Sequence, residues 1–240
     1  MGRVELVVDA HSKCGMKRQT NQDCMGVNNW VSNQEATNQF ADSALLGRDK
    51  QLFLVADGIG GHEDGEVASR FAVERLYEEF SKESNFQVHA AIATIHSELT
   101  IKGGHSVKPM GTTIVGLILT DYEAIFFSVG DSIGYIIRNN SIEQATHTDR
   151  PSQLNQNIIS SCLGGGLPLP NPNIWKQKLE FGDTLLLMSD GISNWVSDKQ
   201  IRNIVQSDRE NLSELLCLQA ISAGGGDDVS AIVIKCNAHF

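Results

Sequence analysis

Among the aspartates that stand beside glycine where a run of apolar residues ends or begins, four point to chemistry. They are Asp57 in Leu54-Val55-Ala56-Asp57-Gly58, Asp131 in Ser128-Val129-Gly130-Asp131-Ser132, Asp190 in Leu187-Met188-Ser189-Asp190-Gly191, and Asp227 in Gly226-Asp227-Asp228, which opens Val229-Ser230-Ala231-Ile232. A carboxylate at the end of a stiff strand, with glycine letting backbone approach closely, is well placed to fix a hard cation. One Asp-Gly pair alone reads more simply as a turn closing a strand. Several gathered at one end of a sheet would repel one another unless cations neutralised them. All-oxygen ligands favour magnesium, manganese or calcium over zinc or copper. An EF-hand is excluded, because Asp57-Gly58-Ile59-Gly60-Gly61 lacks the alternating Asp/Asn pattern, and a P-loop is excluded because no Gly-Lys-Ser/Thr follows the glycines.

The elements that would position these acids can be read from periodicity. Val4 to Val8 is a first strand, followed by a polar turn from Ser12 to Asp23. Residues 28–49, rich in Asn, Gln and Ser, read as a long surface loop or irregular hairpin. The apolar strand from Gln51 runs into Asp57, then through a turn with Gly58, Gly60, Gly61 and Gly65 into a helix from about Glu66 to Lys82. Val67, Phe71, Leu76 and Phe80 mark one face of it, and Val88, Ile92, Ile95 and Leu99 mark a second helix up to Ile101. A short connection at Ser84-Asn85 makes them an antiparallel pair on a sheet. Strands over 112–119, 124–129, 134–138 and 142–146 follow in quick succession, with Asn139-Asn140-Ser141 as a hairpin turn. Such close spacing requires antiparallel neighbours, because a parallel crossover needs a dozen residues or more. A strand over 184–189, helices over 198–206 and 212–222 and a final strand over 229–235 complete the pattern of two packed antiparallel sheets with helices outside.

No Pro/Ser-rich linker divides the 240 residues, so one domain is expected over residues 1–240. The net charge of −10 argues against a nucleic-acid partner, which needs a basic face. Five scattered cysteines, without Cys-x-x-Cys spacing, argue against a disulfide framework or zinc site and for reduced thiols in the cytoplasm. There is no secretory h-region, and Leu6 stands where a myristoylation signal has Ser or Thr. The longest aliphatic runs, such as Ile114 to Leu119, are too short to span a bilayer.

Taken in order, Arg18-x-x-Asn21-Gln22-Asp23, Val55-Ala56-Asp57-Gly58-Ile59-Gly60-Gly61-His62, Gly111-Thr112-Thr113, Gly130-Asp131-Ser132, Ser189-Asp190-Gly191 and Asp227-Asp228-Val229-Ser230 resemble the metal-dependent serine/threonine phosphatases of the protein phosphatase 2C family, its bacterial branch most. The resemblance covers about residues 6 to 235. It implies an α+β fold, a four-layer αββα sandwich, with two Mn or Mg ions and possible occupancy by a third. By this resemblance Asp57 bridges both metals, the Gly58 carbonyl is a ligand of the second, and Asp190 and Asp227 are ligands of the first. Asp23 holds metal-bound water, Asp131 binds the third ion, and Arg18 grips the substrate phosphate, a task suited to a planar guanidinium. Two cations roughly 3.5–4 Å apart would activate a bridging water as hydroxide, which would attack phosphorus in line without a covalent phosphoenzyme. The implied partners are phosphoproteins made by a serine/threonine kinase, and the implied protein is a monomer in signal transduction.

Three departures from the family pattern bear on this. Ile59 stands where animal-type members carry a His proposed as general acid, and His62 reads as a structural residue at the helix start. Asn194 replaces an Asp found in many relatives four residues after Asp190, which weakens the third site. The region from Ile142 to Gly164 is short, leaving a reduced flap around Asn157 to Gly164 and predicting shallow discrimination among phosphopeptides. Cys14, four residues before Arg18, lacks the spacing of a Cys-x5-Arg phosphatase loop. Two other functions remain compatible with the pattern. One is a pseudophosphatase acting as a binding module, the other a small-molecule phosphohydrolase with the same metal chemistry.

Overall fold

The computed structural model describes residues 3–33, 36–45, 50–59, 63–82, 86–104, 109–120, 123–149 and 160–239. The first quarter of the chain forms β1 (Arg3–Lys13), β2 (Asp23–Val27), β3 (Trp30–Val31), β4 (Thr37–Leu45) and β5 (Gln51–Ile59). Two long helices follow, α1 (Glu63–Lys82) and α2 (Val88–Gly103). Next come β6 (Gly111–Thr112), β7 (Ile114–Leu119), β8 (Glu123–Val129), β9 (Ile133–Arg138), β10 (Ser141–Gln144), β11 (Leu163–Gly164), β12 (Asn173–Lys178) and β13 (Thr184–Met188). The chain ends through α3 (Asp190–Ser193), α4 (Asp198–Val205), α5 (Leu212–Ser222) and β14 (Val229–His239).

The strands make two antiparallel sheets. One has the order β10-β9-β13-β14-β1-β4, and the other β11-β6-β5-β7-β8-β12, with β2 joining β5 and β3 joining β2. Helices α1 and α2 cover the second sheet, and α3, α4 and α5 cover the first. The result is an α+β four-layer αββα sandwich, as the strand spacing and the family resemblance both implied. No helix among the described residues is long and apolar enough to cross a membrane.

Strand parity builds three apolar layers from two sheets. Phe53 and Val55 of β5 face the inter-sheet core, while Leu52, Leu54 and Ala56 face α1 and α2. Likewise Ile232 and Ile234 of β14 face the inter-sheet core, while Val229, Ala231 and Val233 face the other helices. Burial on both faces makes these strands read as continuous apolar runs.

Several boundaries differ from the sequence reading. β1 continues through Ser12 and Lys13, and β14 continues to His239, because each is the other's long antiparallel partner. The supposed loop over 28–49 contains β3 and the nine-residue β4, which pairs with β1 as the outermost strand of its sheet. An edge strand with exposed side chains carries little apolar signal, and the same holds for β12, which periodicity missed. Asp57 lies within β5 as expected, and Gly58 lies there too, not in a turn after it. In α1 the sheet-facing stripe is Ala68, Ala72, Val73 and Leu76, whereas Val67 is 43% exposed. Small side chains there let the helix sit close to β5. Asn139 and Asn140 adopt left-handed backbone (φ 48° and 64°), as the hairpin signal required. Gly60, Gly61, His62 and the Ser84-Asn85 connection lie outside the described residues. So do residues 150–159 of the reduced flap.

Candidate metal centre

At one end of the sandwich the inward-facing rows change character within a single step. On the first sheet the pair Ala10↔Ile232 is followed by Ser12↔Ser230, and on the second Met25↔Val55 is followed by Asp23↔Asp57. By parity all four polar side chains project from the apolar inter-sheet layer. Antiparallel pairing therefore sets Asp23 and Asp57 directly opposite one another, although 34 positions of sequence number separate them. The first sheet brings two further acids to the same end. Asp190 opens α3 immediately after β13, and Asp227 immediately precedes the Asp228 that leads into β14.

The backbone around Asp57 is fully engaged. Its N–H donates to Thr113 Oγ1 (3.1 Å), and its carbonyl accepts from Thr113 N–H and Thr112 Oγ1 (both 2.9 Å). Thr113 Oγ1 lies 2.8 Å from Ser132 Oγ, so the Gly-Thr-Thr and Gly-Asp-Ser segments brace the strand that carries Asp57. Gly130 precedes Asp131 with φ 99°, and a Cβ there would come within 2.7 Å of the Thr113 side chain. Gly58 is still more constrained, since a Cβ would fall 2.1 Å from the Gly65 carbonyl oxygen.

Charge is concentrated here. Burial, and then repulsion from Asp23, Asp190, Asp227 and Asp131, push the Asp57 carboxyl well above the usual carboxylate range. Asp23 is raised by burial and by Asp228, against the lowering effect of the Ser230 and Ser189 hydroxyls. Asp23 Oδ2 accepts from both of those hydroxyls, whereas its Oδ1 is buried with no hydrogen-bond partner. Among the described residues, no three His, Cys, Asp or Glu side chains already close into a ligand shell. Arg18 sits on Asp227, with Nε and Nη2 both 2.6 Å from Oδ1. Carboxylates gathered beside a buried Oδ1 that has no hydrogen-bond partner fit a hard divalent cation. Asp228 differs from its neighbour. It is buried and accepts from the N–H groups of Gly15 and Gln22, each at 2.8 Å, which ties the β1–β2 connection to β14.

Residues 32–215 match the family model described as protein phosphatase 2C. The chain belongs to the protein phosphatase 2C family. Among its relatives is the protein phosphatase PhpP of Streptococcus pneumoniae, 29% identical over 233 residues, covering 86% of this chain and 93% of PhpP. The fold matches the serine/threonine phosphatase of S. agalactiae with a TM-score of 0.82 at 23% identity, over 96% of this chain and 99% of the other. It also matches the catalytic domain of the serine/threonine protein phosphatase PstP in complex with two manganese ions. There the TM-score is 0.72 at 25% identity, covering 97% and 99% of the two chains.

Within this protein phosphatase 2C fold, the structure brings Asp23, Asp57, Asp131, Asp190 and Asp227 to one locus, since each of the other four acts on the charge of Asp57. Gly58 is beside them in β5, its carbonyl lying against the first turn of α1. Arg18 is there too, paired with Asp227. Asn194 donates from Nδ2 to Asp190 Oδ2 at 3.1 Å, so the Asp-to-Asn departure supplies a hydrogen bond where an acid would add repulsion. Burial, with Asp228 adding to it, raises the Cys14 thiol to about 11, so it is no thiolate nucleophile at neutral pH. Ser12, Asn21, Ser189 and Ser230, which surround Asp23, carried no role in the sequence reading. The alternation of Ser12 with Ala10 and of Ser230 with Ile232 was visible, but the strand partners that give it meaning were not.

Proposed function

We propose that this chain is a metal-dependent phosphatase of phosphoserine and phosphothreonine in proteins, with Asp57, Gly58, Asp190 and Asp227 holding two Mn or Mg ions. On this reading Asp23 holds water beside them, Asp131 serves a third ion, and Arg18 binds the substrate phosphoryl group. When bound, the ions supply Lewis-acid charge that activates water and offsets the negative phosphoryl oxygens. The observation that carries the reading is the convergence of five aspartates from both sheets at one end of the sandwich, in a member of this family.

The chain's own residues do the positioning. Thr112 and Thr113 hold the Asp57 backbone rigidly, so the carboxylate cannot relax away from its neighbours. Asp228 anchors the loop carrying Arg18 through Gly15 and Gln22, which sets the guanidinium beside Asp227. A planar guanidinium can present two N–H groups to a phosphoryl dianion. The phosphoproteins would be products of a serine/threonine kinase. We also infer a single domain over residues 1–240, acting as a monomer in the cytoplasm; the five free cysteines suit a reducing compartment, and the net charge of −10 is unsuited to a nucleic-acid partner.

Phosphate release from a panel of phosphoserine and phosphothreonine peptides, with and without manganese, tests this. Manganese-dependent release is expected, and it is lost in Asp57→Ala. Release confined to small phosphate esters, with every phosphopeptide untouched, would defeat the protein-phosphatase reading.

A further inference from the structure

The sandwich places four uncharged polar side chains around Asp23, and their hydrogen bonds have a single consistent direction. Ser12, Asn21, Ser189, Ser230 and Asp23 are all more than nine-tenths buried. Ser230 Oγ lies 2.6 Å from Asp23 Oδ2 and 2.8 Å from Ser12 Oγ. A serine hydroxyl has one proton, and Asp23 must be ionised to face a cation, a state in which its carboxylate can only accept. Ser230 therefore donates to Asp23, and the proton between Ser12 and Ser230 belongs to Ser12. Ser12 in turn accepts from Asn21 Nδ2 at 2.8 Å. Ser189 Oγ donates to the same Oδ2 at 2.8 Å and accepts from Ser230 N–H at 3.0 Å. Asn21 closes the arrangement by accepting the Asp23 N–H on Oδ1 at 3.1 Å. Asp23 Oδ2 is thus saturated, and Oδ1 is left without a partner.

Strand register explains why these residues meet. Ser12 and Ser230 are partners in β1 and β14, and they face Asp23 across the inter-sheet space. Ser189 is the residue before α3, yet its hydroxyl makes no cap bond to that helix. The hydroxyl is directed at Asp23 instead.

We propose that Ser12, Asn21, Ser189 and Ser230 are positioning residues that fix the Asp23 carboxylate by Oδ2 and present Oδ1 to the divalent-cation site, thereby setting its cation affinity. The inference rests on the phosphatase reading, and it adds to it that affinity depends on uncharged groups from three separate segments. Outer partners that orient a ligand typically change metal affinity ~10–100-fold when removed.

The test is manganese titration of the metal-free protein by calorimetry, independent of turnover. Ser230→Ala and Ser189→Ala should each weaken manganese binding roughly 10-fold, while Ser230→Thr, which keeps the donor, should bind more tightly than Ser230→Ala. In an Asp23→Ala background, Ser230→Ala should cause no further loss, because the serine acts through that carboxylate. Unchanged affinity in both alanine variants would overturn the proposal, as would an equal loss from Ser230→Ala with and without Asp23. Should Ser230→Ala fail to fold, Ser189→Ala carries the same comparison, since no helix cap is removed. A wild-type protein that bound no manganese would overturn the phosphatase reading and this inference with it.

Discussion

The middle of the inter-sheet layer and its polar end are built by the same strands on opposite terms. In the middle, Ala10, Ile232, Met25 and Val55 are buried and need nothing but each other. One rung further, Ser12, Ser230, Asp23 and Asp57 occupy the equivalent places, and there the chain confines like charges in a partly dry environment. The first arrangement stabilises the fold through apolar burial. The second opposes it until cations arrive, and it persists because the rigid rungs behind it over-determine its geometry. Stability and function are thus separated by about two residues along each strand, which makes them separable by mutation.

The sharpest test of that separation is Asp57→Ala. It should lower manganese-dependent turnover of an aryl phosphate by roughly 10³-fold or more, without lowering the melting temperature of the metal-free protein. Substantial remaining turnover would contradict the assignment of Asp57. Val55→Ala, two residues earlier, should do the reverse. Its cavity should cost roughly 2–3 kcal/mol of stability in denaturant unfolding, with manganese affinity retained. Equal losses of affinity from both variants would mean that the middle and the end are not distinct.

A pH series sharpens the comparison further. In the metal-free protein, burial and mutual repulsion raise Asp57 and Asp23 above the ordinary value of 3.8. Between that value and the raised ones the native state holds protons that the unfolded chain has released, so this pair makes stability fall as pH rises. The melting temperature of the metal-free protein should therefore decline as pH rises above the ordinary carboxylate value of 3.8, by a slope that Asp57→Asn reduces. Saturating manganese should oppose the decline, since cation replaces proton. A slope identical in wild type and Asp57→Asn would show that the pair is not its source.

The smallest of these effects concerns Asp228. It stands beside the metal-ligand candidate Asp227, yet its two oxygens hold the Gly15 and Gln22 N–H groups. Asn keeps one acceptor, so Asp228→Asn should cost about 1.5–3 kcal/mol for one lost charged hydrogen bond, with a modest rise in KM as the Arg18 loop loosens. Wild-type stability and KM in that variant would show the anchor to be unimportant.

Much of this was legible in the chain itself, and the division has a physical cause. Local signals gave most of the apolar strands, though not the buried β2, together with α2, α5 and the Asn139–Asn140 turn, because parity, helical period and left-handed backbone are properties of neighbouring residues. The motif set gave the acids. The edge strands β4 and β12 escaped, since exposure leaves no pattern to read. The facing of Asp23 with Asp57, the bracing by Thr112 and Thr113, and the serines behind Asp23 escaped for a different reason. Each is a pairing between distant segments, and single-sequence periodicity says which face a residue is on without saying what lies opposite.

The ladder between β1 and β14 pairs Lys13 with Val229 and Arg3 with His239, and the contacts of Asp228 and Ser230 with the β1–β2 region span more than 200 residues. Contacts so distant in sequence are slow to form, because the intervening loop must close before they contribute. During synthesis, β2 can pair with β5 long before Val229 emerges, leaving Asp23 and Asp57 opposed with neither the Ser230 hydroxyl nor Asp227 in place. β14 is therefore the strand that completes the site, and a nascent chain cannot strip phosphate from its surroundings before Asp227 and the Ser230 of that strand have been made.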